Sequence, residues 1–230
     1  MNVWERYGLS EFLYNNRGLR LKELSSQGLI LEGLYNINAQ MDGYELVSET
    51  VNLRIQFDKS YPKEIPKVVE LDSKIPRSPD YHVNAADDTC CLGSNLRLLD
   101  EINRNPNIDN YFSVCVNPFF YSVLHKIKHG VFPYGELAHY EEGLVQDYEE
   151  LFNIKGKENV ILLLKALSKR ERLANKLPCP CNCGCLLGKC NFRNQLAEWR
   201  TKAKRRWYLK HLKDNFKLVH KPKRLKKNID

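Results

Sequence analysis

Val51-Asn52-Leu53-Arg54-Ile55-Gln56-Phe57 alternates apolar and polar residues without a break. A period of two belongs to a β-strand with one buried face, because successive side chains point to opposite sides of the pleat. Upstream, Leu29, Leu31, Leu34 and Ile37 around Gly33 predict another strand, and Met41-Asp42-Gly43 predicts the turn to a strand that begins at Tyr44. Downstream, Lys67 to Leu71 predicts a short third strand after a proline-marked loop. The middle of the chain reads as an antiparallel meander with one polar face.

Working outward, Trp4 to Leu24 has irregular helical spacing interrupted by Gly8 and Gly18, which predicts one or two short helices. Residues 73–107 hold Pro76, Pro79 and Pro106 but little periodicity, and a loop of that length is usually functional. From Ile108 to His129 a helix is expected, with Phe112, Val116, Phe119, Phe120, Val123, Leu124 and Ile127 as its apolar stripe and Pro118 as a kink or break. Two more helices are expected, Tyr140 to Phe152 and Val160 to Leu177. The class is α+β, a β-meander packed on helices.

The chain has 230 residues with a formal charge of +8, but the charge is uneven. Residues 176–230 hold sixteen Lys or Arg against Glu198, Asp214 and Asp230, while residues 1–175 carry more acid than base. Hydrophobic residues make up 43% and charged ones 28%, which excludes wholesale disorder. The longest purely apolar run, Val160 to Leu164, falls far short of the roughly 20 residues of a membrane span. No secretory or transit signal is legible in residues 1–30, so an intracellular, cytoplasmic protein without a membrane partner is expected.

Three motifs follow the alternating strand: Tyr61-Pro62-Lys63-Glu64-Ile65-Pro66, then His82-Val83-Asn84, then Cys91-Leu92, seven positions after Asn84. In this order they resemble the ubiquitin-conjugating enzyme family. That family runs helix, strands, a Tyr-Pro-x-x-Pro loop, strand, His-Pro-Asn and a Cys-Leu pair that carries the nucleophile. The resemblance covers roughly residues 19–152 and is to divergent, prokaryotic members, since Val83 replaces the proline and the tryptophan usually found after the cysteine is missing. It implies a ubiquitin-conjugating-enzyme-like fold. It also implies a carrier of a ubiquitin-like protein, held as a thioester on Cys91 and passed to an amine, with an activating enzyme as partner. A neighbouring defence gene would place such a member in antiphage immunity.

The chemistry is intelligible residue by residue. A thiol that exchanges acyl groups must be exposed and reach the thiolate state. Cys91 has Asp87 and Asp88 nearby and no local cation, so nothing in sequence lowers its pKa. Asn84 is the candidate oxyanion donor, with a plain turn residue as the alternative. His82 is assigned to holding the asparagine loop. Cys90 is the second choice for nucleophile, since adjacent residues of an extended segment face opposite ways. Cys115, on the helix stripe, reads as a buried apolar residue.

Five of the eight cysteines, Cys179, Cys181, Cys183, Cys185 and Cys190, crowd into twelve residues. In a reducing compartment this pattern points to metal, and structural zinc is expected, with a redox cluster as the alternative. Cys179-Pro180-Cys181 followed by Cys190 resembles the SEC-C zinc motif. That motif ends in Cys-Cys or Cys-His, whereas Asn191 follows here, so Cys183 or Cys185 must supply the fourth ligand. The basic stretch beyond, with Trp207, Tyr208 and Phe216 interleaved, suits nucleic acid or an acidic protein, or is simply a solvated helix face. Residues 221–230 are expected to be disordered.

The expected organisation is a ubiquitin-conjugating-like domain (1–155), a linking helix (156–178) and a small zinc-bearing helical module with a basic tail (179–230). Two rivals to the carrier reading remain. One is a non-catalytic binding module of the same fold that recognises a ubiquitin-like or other protein. The other is a nucleic-acid-binding protein acting through its zinc tail.

Overall fold

A computed structural model describes residues 3–133 and 140–216. Four antiparallel strands, β1 (Leu19–Ser25), β2 (Gly28–Ala39), β3 (Val47–Asp58) and β4 (Lys67–Glu70), lie side by side in chain order. The twelve-residue pairing of β2 with β3 sets Leu29 opposite Phe57, Leu31 opposite Ile55 and Tyr35 opposite Val51. All six are buried, each worth roughly 1.5–3 kcal/mol when fully removed from water. Gly33 lies in the same row with φ 138°, and a Cβ there would come within 2.2 Å of the Gly18 carbonyl oxygen. Only glycine lets the chain enter β1 so close. On the polar face Arg54 Nε lies 2.8 Å from Glu32 Oε2, its register partner.

β1 corrects the expectation of helix through Leu24. A register shift between Leu21 and Glu23 puts Leu24 out of phase, and only Leu19 is buried, so the strand's alternation is hidden in sequence. The other strands fall close to their expected places.

The helices of this part are α1 (Leu9–Asn15), α2 (Asn95–Arg104), α3 (Ile108–Tyr111) and α4 (Asn117–His129). α2 was not legible in the proline- and asparagine-rich stretch, yet Leu96, Leu98, Leu99 and Ile102 are buried. Between α3 and α4, Phe112–Val116 forms a π-helical turn. Pro118 has no N–H to give to a carbonyl four residues back, and a widened turn ahead of it absorbs the defect without ending the helix. The extra residue also advances the buried face. Tyr121 and His125 therefore turn inward, while Ile127 of the expected stripe is exposed. Phe112 packs on Tyr35 with ring centroids 4.8 Å apart, and Tyr111 on Phe57 at 5.7 Å, so this helical run covers the apolar face of the sheet.

The chain divides into two compact units, residues 1–138 with 198–203, and residues 139–197 with 204–230. The second contains α5 (Tyr140–Phe152), α6 (Lys157–Ser168), α7 (Glu171–Ala174), the cysteine loop, the start of α8 (Phe192–Lys202) and α9 (Arg205–Asn215). The helix expected over 160–177 stops at Ser168, because Lys169-Arg170-Glu171-Arg172 offers no apolar residue to continue the stripe. The tail from residue 221, expected to be disordered, lies outside the described residues. No helix among the described residues is long and apolar enough to cross a membrane.

His211 on α9 is buried in the second unit. Asn215 Nδ2 donates to its Nδ1 at 3.0 Å, so the neutral ring carries its proton on Nε2, which lies 2.8 Å from Tyr148 Oη. A second proton would confront the Asn215 amide donor to donor. Burial lowers the pKa to about 4 from an ordinary 6.5, with Asp214 opposing. The unfolded chain therefore takes up this proton first as pH falls. Stability of the unit should be full above pH 6.5 and fall between 6.5 and about 4 by up to about 1.4 kcal/mol per pH unit. Amide exchange of α5, α6 and α9 against pH measures this, and His211→Gln should flatten the dependence.

Candidate functional site

After β4 the chain makes a short 3₁₀ turn at Pro79–Tyr81 and then folds back on itself. Val83 bridges Cys90, Thr89 bridges Val69 of β4, and Cys90 N–H donates to Val68 O at 2.8 Å. Residues 82–91 thus form a narrow hairpin attached to β4. Its outer limb is closed by Cys91 N–H donating to His82 O at 2.7 Å.

The tip is built by two side chains. Asp87 Oδ1 accepts from Asn84 Nδ2 at 2.8 Å and from the Thr89 hydroxyl at 2.6 Å, while Asn84 Oδ1 accepts from Ala86 N–H at 3.1 Å. The Thr89 hydroxyl holds the Asp87 carboxyl below its ordinary range. Asn84 therefore forms the turn, with one amide hydrogen committed to Asp87 and one left over. His82 adopts a left-handed conformation, φ 53°, with its ring 5.1 Å from that of Phe132. Its backbone ties the 3₁₀ turn to the outer limb: the N–H donates to Pro79 O and the C=O accepts from Cys91 N–H.

Pairing parity separates the two adjacent cysteines. Cys91 is exposed and Cys90 is not. Burial pushes the Cys90 thiol up to about 12, with Glu70 and Arg77 among the groups acting on it. Glu70 is the residue that sequence reading missed. It ends β4 at an inward position, is fully buried, and faces Arg77 Nη1 at 3.4 Å. Arg77 also donates to the Glu70 carbonyl and reaches Asp88 Oδ1 at 3.7 Å, which ties the hairpin tip to β4. The available signal was parity: Glu70 shares its phase with buried Val68, and an inward carboxylate requires a cationic partner.

The proline loop is anchored from three sides. Tyr61 packs among Trp4, Tyr7 and Phe57, Asn103 Nδ2 donates to Pro62 O at 3.0 Å, and Tyr111 Oη reaches Pro66 O at 3.4 Å. The Tyr61–Pro62 peptide bond is cis. Cys115 is buried.

In the second unit, the sulfurs of Cys179, Cys181, Cys183 and Cys190 all lie within 4.8 Å of one another and could hold a metal ion. Asn182 (φ 60°) and Gly184 (φ 77°) bend the chain sharply enough to return Cys183 to the group. Cys185 is not among them. Its carbonyl accepts from Cys179 N–H at 2.9 Å, closing the loop through the backbone, and its side chain stays exposed. Of the two candidates for the fourth ligand, Cys183 is the one whose sulfur lies with the other three. Hydrogen bonds, chiefly from the Cys185 N–H, bring the Cys183 thiol down to about 7.

No protein-family model, curated protein or solved structure matches this chain.

Cys91 is exposed as a residue, but its sulfur is partly enclosed, which favours the neutral thiol. Burial around the sulfur raises its pKa, and the Asp87 charge raises it further. Limited alkylation with peptide mapping should modify Cys91 well before Cys90 and Cys115, at a rate still climbing above pH 9. Equal labelling of Cys90 and Cys91 would show that the hairpin does not separate them.

Proposed function

We propose that this protein carries a ubiquitin-like protein as a thioester on Cys91 and passes it to an amine. The observation that carries the reading is the exposure of Cys91 at the end of a hairpin whose pairing turns Cys90 inward. The order of meander, anchored proline loop, His82-Val83-Asn84 and cysteine, which prompted the resemblance, supports it. Cys91 Sγ attacks the thioester carbonyl on an activating enzyme, the new S–C bond forms, and the donor thiol leaves. An incoming amine then attacks the same carbonyl and releases Cys91. A raised thiol pKa makes Cys91 a slow free nucleophile, so reaction waits for the docked donor. Asn84 offers its remaining amide hydrogen to the oxyanion, and His82 holds the loop. The working compartment is the cytoplasm.

The non-catalytic rival draws on the same observations: a raised thiol and an asparagine engaged in its own turn suit a recognition loop as well. Incubation with activating enzyme, ATP and modifier separates the two. A reductant-sensitive adduct should form, become reductant-resistant or vanish in Cys91→Ser, and persist in Cys90→Ser. Asn84→Ala should slow transfer by roughly 10²- to 10³-fold, with less effect on loading. A reductant-sensitive adduct on Cys91→Ser would move the nucleophile elsewhere, and no adduct on the wild type would leave the binding module.

The second part of the proposal is a structural zinc ion on Cys179, Cys181, Cys183 and Cys190. Four thiolates about 2.3 Å from zinc stand about 3.8 Å apart in a tetrahedron, close to the spacing here. Bound, the ion would supply a crosslink that the small loop cannot obtain from apolar burial. Metal analysis of reduced protein should give one zinc per chain, kept in Cys185→Ser and lost in Cys183→Ser. Chelation should disorder the loop while leaving the sheet intact. Absence of zinc from the reduced wild type overturns this part alone.

A further inference from the structure

α9 is divided lengthwise. Tyr208, His211 and Leu212 are buried, and Phe216 just beyond the helix is buried too. Trp207 lies face to face with His211, centroids 5.2 Å apart and planes 17° from parallel. The opposite side exposes Arg205, Arg206, Lys210 and Lys213, with Lys204 at the cap and Leu209 as the one large apolar residue. Arg206, Lys210 and Lys213 are spaced i, i+4, i+7, a single row about 10 Å long. Among the described residues, Lys210 approaches Asp214 only at 4.0 Å, and Arg205, Arg206 and Lys213 have no acidic partner. The sequence from residue 204 to 230 holds eleven Lys or Arg against Asp214 and Asp230.

Here the structure corrects the sequence reading. The aromatic residues interleaved with the basic ones would suit base stacking, but Tyr208 and Phe216 are core and the Trp207 face is taken by His211. Apart from Leu209 and Asp214, a partner meets cations on this side. Protein interfaces depend on a few buried aromatic or aliphatic anchors, and a membrane-surface helix needs its apolar side free. Leu209 alone does not meet either need. A polyphosphate backbone requires no apolar anchor, since its affinity comes from release of condensed counterions.

We infer that the exposed face of α9 binds nucleic acid through its phosphates, without reading the bases. α9 belongs to the second unit and Cys91 to the first, and the inference does not rest on the thioester reading.

Fluorescence anisotropy with the full chain tests it, using two unrelated 24-bp DNA duplexes and a single-stranded RNA of the same length, from 50 to 200 mM salt. The two duplexes should bind within about twofold of each other, with affinity falling steeply as salt rises. Arg206→Gln, Lys210→Gln and Lys213→Gln together should lower affinity at least tenfold at 50 mM salt and flatten the log–log slope by about two to three. Circular dichroism should show the helices intact. Lys155→Gln, Lys165→Gln and Lys176→Gln, on other elements of the same unit, should leave affinity within about threefold, and Cys91→Ser should bind as wild type. RNA binding alone would assign the single strand as the form bound and keep the inference. A tenfold preference between duplexes overturns base-independence. Equal loss in the two triple variants, or none in the first, overturns the assignment to α9. Poly-glutamate of matched charge binding as tightly as nucleic acid would replace the partner with an acidic protein, and equal binding to vesicles with one-third phosphatidylserine would replace it with a membrane.

Discussion

The register of β2 on β3 is the constraint on which the first unit depends. Twelve consecutive pairs fix which side of each strand meets the helices, and a slip of one residue would send Leu53, Ile55 and Phe57 into solvent. β4 inherits its phase from β3 through the pairs Leu53–Glu70 and Ile55–Val68. Residues 89 and 90 inherit theirs from β4. Which of two adjacent thiols faces the solvent is thus settled three strands away, by packing that has nothing to do with thiol chemistry.

The same inheritance explains why a charge sits inside. At the end of β4 the parity that buries Val68 also buries Glu70, and an unpaired carboxylate there would be costly. Arg77 neutralises it and in doing so fastens Asp88, on the hairpin tip. A position fixed by the sheet's geometry therefore gives the cysteine loop its anchor. The electrostatics around Cys91 run against a resting thiolate, with Asp87 kept ionised beside it by Thr89. A thiol of raised pKa is also the poorer leaving group.

The parts legible in sequence are those decided by local periodicity. Val51–Phe57 announces β3 because every second residue is apolar, and the stripe from Phe112 to Phe120 announces the helix that covers it. Where one residue is added, periodicity misleads. The bulge at Lys22 concealed β1, and the π-helical turn at Phe112–Val116 moved the buried face of α4 from Ile127 to His125. At the site, Cys91 was legible from motif order, whereas the Glu70–Arg77 pair was not, because it joins a strand end to a loop with no periodicity of its own. Cys183 and Cys185 are equivalent by spacing. The choice between them lies in two left-handed residues, Asn182 and Gly184, whose conformations place one sulfur with the others and leave its neighbour to the solvent.

β4 is short and last in its sheet, and its outer side would present unpaired amides and carbonyls to any passing chain. The hairpin at residues 82–91 occupies that side, with Thr89 lying opposite Val69, Cys90 N–H taking the Val68 carbonyl and Arg77 taking the Glu70 carbonyl that a foreign strand would use. The loop that presents Cys91 is therefore also the protein's guard against self-association. Substitutions that open it expose an adhesive strand as well as misplacing a thiol, so the first sign of a damaged hairpin would be loss of soluble protein. The same ten residues thus cover the sheet edge and place the exposed thiol.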